Sequence, residues 1–260
     1  MSSMNTEKLQ PHIKCKPGDV AETVLLVGDP DRIALVTKYW DEAKNVANNR
    51  GLPVWTGKYK GHPISIASTG MGAPSAAIVV EELINVGAKR LIRIGTCGGL
   101  KKEINPGDLI IPVAALRAEG TTKEYEENDA LAFADESLVT SLRDSAKEKR
   151  FINWTGVDRT HDAFYEPVSN MIKCGKMFEE RYAKESGLSL VSSEMECSAV
   201  FFLAALRGVK AAAVLSVNTT EPLDEIEKNP LLVYELIEDP NAKEGVDRAI
   251  RTALDAAVSF

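Results

Sequence analysis

Repeatedly in its first half, this chain runs from a short apolar stretch into glycine and then into a helix-start signal. In "ETVLLVGDPDRIALV", residues 22 to 36, the β-rich run Val24 to Val27 reads as a buried strand. Asp29 and Pro30 then read as a helix N-cap followed by proline at the first helical position. Such a junction leaves backbone N–H groups free. Gly28 lets the main chain approach a ligand, and Arg32 adds a charged fork one turn later, so the natural guest is a phosphate or a carboxylate. A plain βα turn with a solvated arginine remains the alternative.

The theme returns in "IASTGMGAPSAAIVVEEL", where Gly70 and Gly72 follow a strand and Pro74 opens a helix that is apolar almost all round and therefore buried. It returns again in "RLIRIGTCGGL", with Arg93 inside a strand ahead of Gly95, Thr96, Gly98 and Gly99. Ligands of open α/β sheets gather at the carboxyl ends of strands. The ends of 23–27, 63–68 and 90–94 are therefore expected to meet around one anion held by Arg32, Arg93 and Thr96. The competing reading of Arg93 is an interior arginine paired with a structural carboxylate.

Further strands are expected at 54–59, 108–114, 152–158, 189–192 and 211–217, and helices at 31–40, 73–86, 136–149, 170–186, 195–207 and 244–258. "GKYKGHPISIAS" reads as a hairpin turning at Lys60-Gly61, so the expected class is α/β with a central mixed sheet flanked by helices. No linker, low-complexity tract or repeat divides the 260 residues, which points to a single domain, 1–260. The polar start "MSSMNTEKLQPHIKCKPGD" lacks a signal-peptide core, and no apolar run nears the roughly 18 residues of a membrane span. A cytoplasmic protein is expected. Cys15, Cys97, Cys174 and Cys197 are far apart, which disfavours both a disulfide framework and a zinc site. The net charge of −7 and pI near 5.2 oppose a nucleic-acid partner, which needs a basic face, but allow a small anion bound by a few arginines.

In "SSEMECSAVFF", Glu194 and Glu196 flank Met195 just before an apolar helix; one is expected to be exposed and the other to point into a site. Either could instead be a helix-start carboxylate favoured by the macrodipole. His12, His62 and His161 are too dispersed for H-E-x-x-H metal chemistry, and His62 reads as a surface turn residue. His161 lies in "DRTHDAFYEP", whose Phe164 and Tyr165 could stack on a flat ligand or pack in the core.

Taken in order, "PHI", "GDPDR", "NNRG", "STGMGAPS", "LIRIGTCGGL", "THDAFYEP" and "EMEC" resemble, over nearly the whole chain, the nucleoside phosphorylase family that includes uridine phosphorylase and hexameric purine nucleoside phosphorylase. The resemblance implies that family's fold, with residues 1–20 as an arm reaching a neighbouring subunit. It also implies a homo-oligomer, a hexamer built as a trimer of dimers, and cleavage of a nucleoside by phosphate to base and ribose 1-phosphate. Inorganic phosphate is then a co-substrate, and no cofactor is implied. Gly28, Arg32, Arg93 and Thr96 match the family's phosphate site, and Arg50 matches an arginine supplied by a neighbouring subunit. His12, Met195 and Glu196 match the ribose site, with Arg93 and Glu196 at the reacting centre. Phe164 matches the aromatic wall for ribose and base.

At the base the motifs diverge. Thr219 stands where purine-type members carry a proton-donating aspartate, and "FYEPVSNMIK" lacks the Gln-x-Arg pair of uridine-type members. "STGMGAPSAAIVVEEL", "LRAEG" and "VNTTEP" lean towards uridine phosphorylase, "PHI" and "NNRG" towards the purine branch. Uridine is therefore the expected substrate and a purine nucleoside the alternative, with a nucleosidase or a non-catalytic nucleoside-binding module behind them. Glu166, Asn170, Asn218, Thr219 and Glu221 are candidate base contacts. Gly51 replaces a glutamate that helps hold an inter-subunit ion in some relatives, so no metal is expected.

Overall fold

The computed structural model describes residues 8–220 and 240–260; Glu221 lies outside them. Among the described residues the strands are β1 Thr23–Val27, β2 Glu42–Asn49, β3 Leu52–Tyr59, β4 His62–Ser68, β5 Arg90–Gly99, β6 Leu109–Ile110, β7 Ala114–Ala118, β8 Ala132–Phe133, β9 Asn153–Trp154, β10 Val157–His161, β11 Leu190–Glu194 and β12 Lys210–Thr220. The helices are α1 Arg32–Thr37, α2 Ala73–Asn85, α3 Thr121–Tyr125, α4 Glu136–Glu148, α5 Val168–Phe178, α6 Lys184–Ser186, α7 Cys197–Arg207 and α8 Pro240–Ala257, with a π-helical turn at Glu179–Ala183 joining α5 to α6.

The strands form one mixed sheet in the order β2-β3-β4-β1-β5-β11-β10-β7-β8, with β12 also paired to β5 and β6. The side chains of β1 alternate as a strand must. Val24 and Leu26 enter the core under α2 and α7, while Leu25 and Val27 enter the core under α1, α4 and α8. Strand β5 is the axis of the molecule. It runs parallel to β1 and β12, then pairs antiparallel with β11 at Gly98 and Gly99. The carboxyl ends of β1, β10 and β11 thereby converge beside the middle of β5, and the carboxyl ends of strands are where an open sheet binds its ligand.

The hairpin at Lys60-Gly61 forms as expected, with Tyr59 opposite His62 and positive φ at both turn residues. Strand β2 is a departure from expectation. "EAKNVANN" is polar and mostly exposed because it is the sheet's edge, and its charged and amide side chains discourage pairing with another chain. Within the expected strands 108–114 and 152–158 only the short β6 and β9 form, while β7 and β10 begin at the far ends of those bounds and run beyond them to Ala118 and His161. Proline interrupts the first at Pro112 and glycine the second at Gly156.

One charge cluster ties α8 to the β3–β4 hairpin: Asp255 accepts from the Tyr59 hydroxyl (2.6 Å), Lys60 (2.7 Å) and Lys149. Partial burial pushes the Asp255 carboxyl up, but the hydrogen bonds from Lys149, Lys60 and Tyr59 outweigh it and hold it at about 2 against an ordinary 3.8. A depressed carboxylate contributes stability above its unfolded pKa and loses it as pH falls through the folded one. Urea unfolding across acid pH is expected to show Asp255→Asn less stable than the parent at neutral pH, with the gap closing between about pH 4 and pH 2.

Candidate active site

The site is built around Arg93, which β5 carries into the interior, where it is only 3% exposed. A guanidinium there requires partners, and two carboxylates supply them. Nε and Nη2 lie 3.1 and 3.0 Å from Glu194 Oε2, and Nη2 also donates to Glu196 Oε2. Gly95 makes room for this fork, since a Cβ at that position would fall 2.9 Å from Nη2. The remaining nitrogen, Nη1, is buried without a hydrogen-bond partner. It faces the Gly28 turn, where an added Cβ would be 4.0 Å from Nη1 and 3.4 Å from the Gly70 carbonyl. The loop at Gly70 and Gly72 uses positive φ at both glycines to reach this position.

Arg32, at the start of α1, donates to the Ile94 carbonyl at 3.3 Å. Burial lowers its pKa, and the nearby Arg93 charge lowers it further. Two cations brought together at a glycine turn form a site that an anion relieves. Thr96 follows Ile94 by two residues on β5 and is half-buried, opposite Ser216 of β12.

Both acidic residues of "EMEC" are buried, each 5% exposed, which corrects the expectation that one faces solvent. The reason is Arg93, which draws both inward. Their environments nevertheless differ. Glu194 also accepts from the Glu196 and Cys197 N–H groups (2.8 and 2.9 Å) and the Thr160 hydroxyl (2.8 Å). Burial pushes its pKa up, but Arg93, the neighbouring Asp158 and the two N–H groups more than offset that and leave it below the usual carboxylate range. Glu196 has fewer donors: besides Arg93 it receives the Gly72 N–H at the start of α2. Burial raises its pKa despite Arg93, and the neighbouring Glu194 adds to the rise. Glu194 thus positions Arg93, while Glu196 retains capacity for a further partner. Met195 between them is half-buried.

Asp158 lies beyond Glu194 and accepts from the Ser192 hydroxyl at 2.7 Å; burial, then the Glu194 charge, pushes its pKa far up. Ligand atoms of Asp158, Glu194 and Cys197 lie within 4.8 Å of one another. The donor chemistry of this set does not suit a cation. Glu194 is already saturated by protein donors, and burial, with the nearby carboxylates, pushes the Cys197 thiol well up.

Other sequence candidates lie around this centre. Phe164 is about half exposed and meets Tyr165 edge-on at 5.1 Å, so it is not a core residue. Thr219 is buried on β12 beside Gly98 of β5, Asn218 is half-buried and Asn170 is exposed on α5. Arg50 stands exposed at the tip of the β2–β3 turn, with positive φ and no ion pair or hydrogen bond among the described residues. His12 is pinned to α2 instead of to Arg93 or Glu196: its Nδ1 lies 2.6 Å from Glu82 Oε1, the N–H groups of His12 and Ile13 donate to the same carboxylate, and Asn49 donates to its carbonyl.

Sequence reasoning passed over Arg159. Its guanidinium is buried at the end of β10, with Nη2 2.6 Å from Glu166 Oε1 and Nη1 3.4 Å from Ser193 Oγ, and Glu166 Oε1 is also 3.4 Å from His161 Nδ1. The available signal was the alternation of Arg159 and His161 at a strand's carboxyl end, which puts both on one face.

The model of the phosphorylase superfamily matches residues 22–256. This chain belongs to the phosphorylase superfamily. Within that superfamily it is 38% identical over 231 residues to a uridine phosphorylase of Thermococcus kodakarensis, covering 85% of this chain and 81% of the relative. It is 34% identical over 252 residues to a guanosine phosphorylase of Halorubrum lacusprofundi, covering 96% and 99%. The crystal structure of a uridine phosphorylase from Vibrio fischeri superposes with a TM-score of 0.81 at 30% identity, over 99% of this chain and all of that one. The single-domain mixed sheet flanked by helices is the superfamily's fold.

Proposed function

We propose that this superfamily member is a pentosyltransferase that transfers the ribosyl group of uridine to inorganic phosphate, giving uracil and ribose 1-phosphate. The observation that carries the reading is the buried, unpartnered Nη1 of Arg93 beside Arg32 and the Gly28 turn, with Glu196 on the other arm of the same guanidinium. Phosphate at Nη1 and Arg32 presents an oxygen to the anomeric carbon. As the carbon–nitrogen bond breaks and the carbon–oxygen bond forms, positive charge develops on the sugar and negative charge on the base. Fixed charges already in place stabilise such a transition state without reorganising. Glu196 accepts from the ribose hydroxyls and orients the ring. It is a positioning group and not a nucleophile.

No organic cofactor or metal ion enters this scheme. Thr96 completes the phosphate site, Met195 and Phe164 line the sugar and base, and Thr219 borders the base. Arg50 and His12 serve a neighbouring subunit's site in a homo-oligomer, a trimer of dimers, and the exposure of Arg50 supports this. The four separated, free cysteines are in keeping with a reducing, cytoplasmic setting, and the proposed reaction with a role in nucleoside salvage. Among the described residues no helix is long and apolar enough to cross a membrane. A purine nucleoside is the second reading, favoured by the near-complete length match to the guanosine phosphorylase.

Base release from uridine, thymidine, inosine and adenosine, each with and without phosphate, tests the assignment. Uracil freed only with phosphate is expected. Hypoxanthine or adenine release in its place moves the assignment to the purine branch, and turnover indifferent to phosphate overturns the role of the arginines.

A further inference from the structure

Buried polar side-chain atoms without hydrogen bonds are costly and ask for an explanation. Among the described residues, Trp40 Nε1 and Thr252 Oγ1 belong to the core on the α8 side of the sheet. The others are Arg93 Nη1, in the first half of β5, and Arg159 Nε, His161 Nδ1 and Glu166 Oε1, on or just after β10. Phosphate accounts for Arg93. The remaining three form a separate cluster, held by charge but without hydrogen-bond geometry among these atoms. Arg159 is itself only 3% exposed.

The topology places this cluster beside the sugar site. Thr160 is level with Glu194 in the parallel β10–β11 pair, so His161 follows next to Met195. Glu166 returns to the strand end at the far side of the Phe164–Tyr165 turn. Resting on the phosphorolysis reading, we propose that Arg159, Glu166 and His161 read the edge of the base and select bases in which a carbonyl adjoins a ring N–H. The three offer a donor from Arg159 Nε–H, an acceptor from the Glu166 carboxylate and, in the Nδ1–H tautomer, a donor from His161. Uracil presents the complement: carbonyl, N–H, carbonyl. Hypoxanthine matches in part. Cytosine and adenine turn a ring-nitrogen lone pair towards the carboxylate and are repelled. Burial and the Arg159 charge push the His161 pKa down, favouring the neutral ring.

The test measures kcat/KM with phosphate for uridine against cytidine and for inosine against adenosine, in the parent and in Glu166→Gln, with thermal unfolding to confirm the fold. The parent is expected to favour the oxo member of each pair by at least about 100-fold, because a site with unmet buried polar groups rejects the wrong analogue. E166Q is expected to compress that ratio by roughly 10-fold or more. An unchanged ratio in a folded variant overturns the proposal. Should E166Q not fold, His161→Ala leaves the Arg159–Glu166 pair in place and is expected to weaken uridine more than cytidine; equal losses overturn it. If the parent turns over no nucleoside with phosphate, the phosphorolysis reading itself fails. Equilibrium binding of free uracil and cytosine then decides the edge assignment, with uracil preferred by the parent and the preference reduced in E166Q; equal binding of the two bases by the parent overturns it.

Discussion

Replacing Arg93 with alanine is expected to lower phosphate-dependent kcat/KM by about 100- to 1000-fold, the usual consequence of removing a preorganised donor aimed at developing charge. The same substitution strands Glu194 and Glu196, both buried and both its partners, and is expected to cost about 3–5 kcal/mol of stability. Those effects are separable. Arg93→Lys keeps a cation between the carboxylates but has no second nitrogen to face the Gly28 turn, so it is expected to recover much of the stability and little of the activity. Steady-state kinetics at varied phosphate, paired with urea unfolding, checks both parts. Near-normal kinetics in a folded R93K enzyme returns Arg93 to a purely structural role.

Glu196→Gln tests the sugar side. The amide keeps the shape and loses the charge that, in the proposed mechanism, grips the ribose hydroxyls, and turnover is expected to fall by roughly 100-fold. Stability should move little or improve. Burial raises the Glu196 pKa in the fold, so its ionised form weakens the folded state at pH values above the raised pKa. The sign has a kinetic counterpart: kcat/KM of the parent is expected to fall on the acid side at a pH above the ordinary carboxylate value of 4.5, and E196Q is expected to lose that limb. A pH–rate profile of the two proteins decides it.

Most strands, Arg32, Arg93 and the glycine turns at Gly28 and at Gly70 and Gly72 were legible because each is signalled locally, by an apolar run and a glycine in sequence. The glycines after Arg93, in contrast, read as a turn but continue β5 to Gly99, paired with β12 and β11. Strand β2 was not legible, since an edge strand has little to bury and its polar residues look like a loop. The fates of Glu194 and Glu196 also escaped the sequence. Both depend on a guanidinium about a hundred residues away, and spacing alone carries no trace of it. Arg159, His161 and Glu166 share the same limitation: strand parity groups the first two, but only the fold of the 162–166 turn brings the third back to them. Residues 12 and 13 show the converse. Glu82 is a lone acid on the core side of an almost wholly apolar helix, and its partners turn out to be His12 and Ile13.

Arg93, Glu194 and Glu196 stand on or at the ends of strands that the whole sheet holds in register, whereas Phe164, Tyr165 and Glu166 share one short connection after β10. On the proposed base-edge reading, exchanging that connection together with Arg159 and His161 of β10 is a way to change the preferred nucleobase while Arg93, Glu194 and Glu196 stay as they are. A graft of residues 159–166, which carries Arg159 and His161 together with that connection, is therefore the compact engineering unit for retuning leaving-group preference on this scaffold.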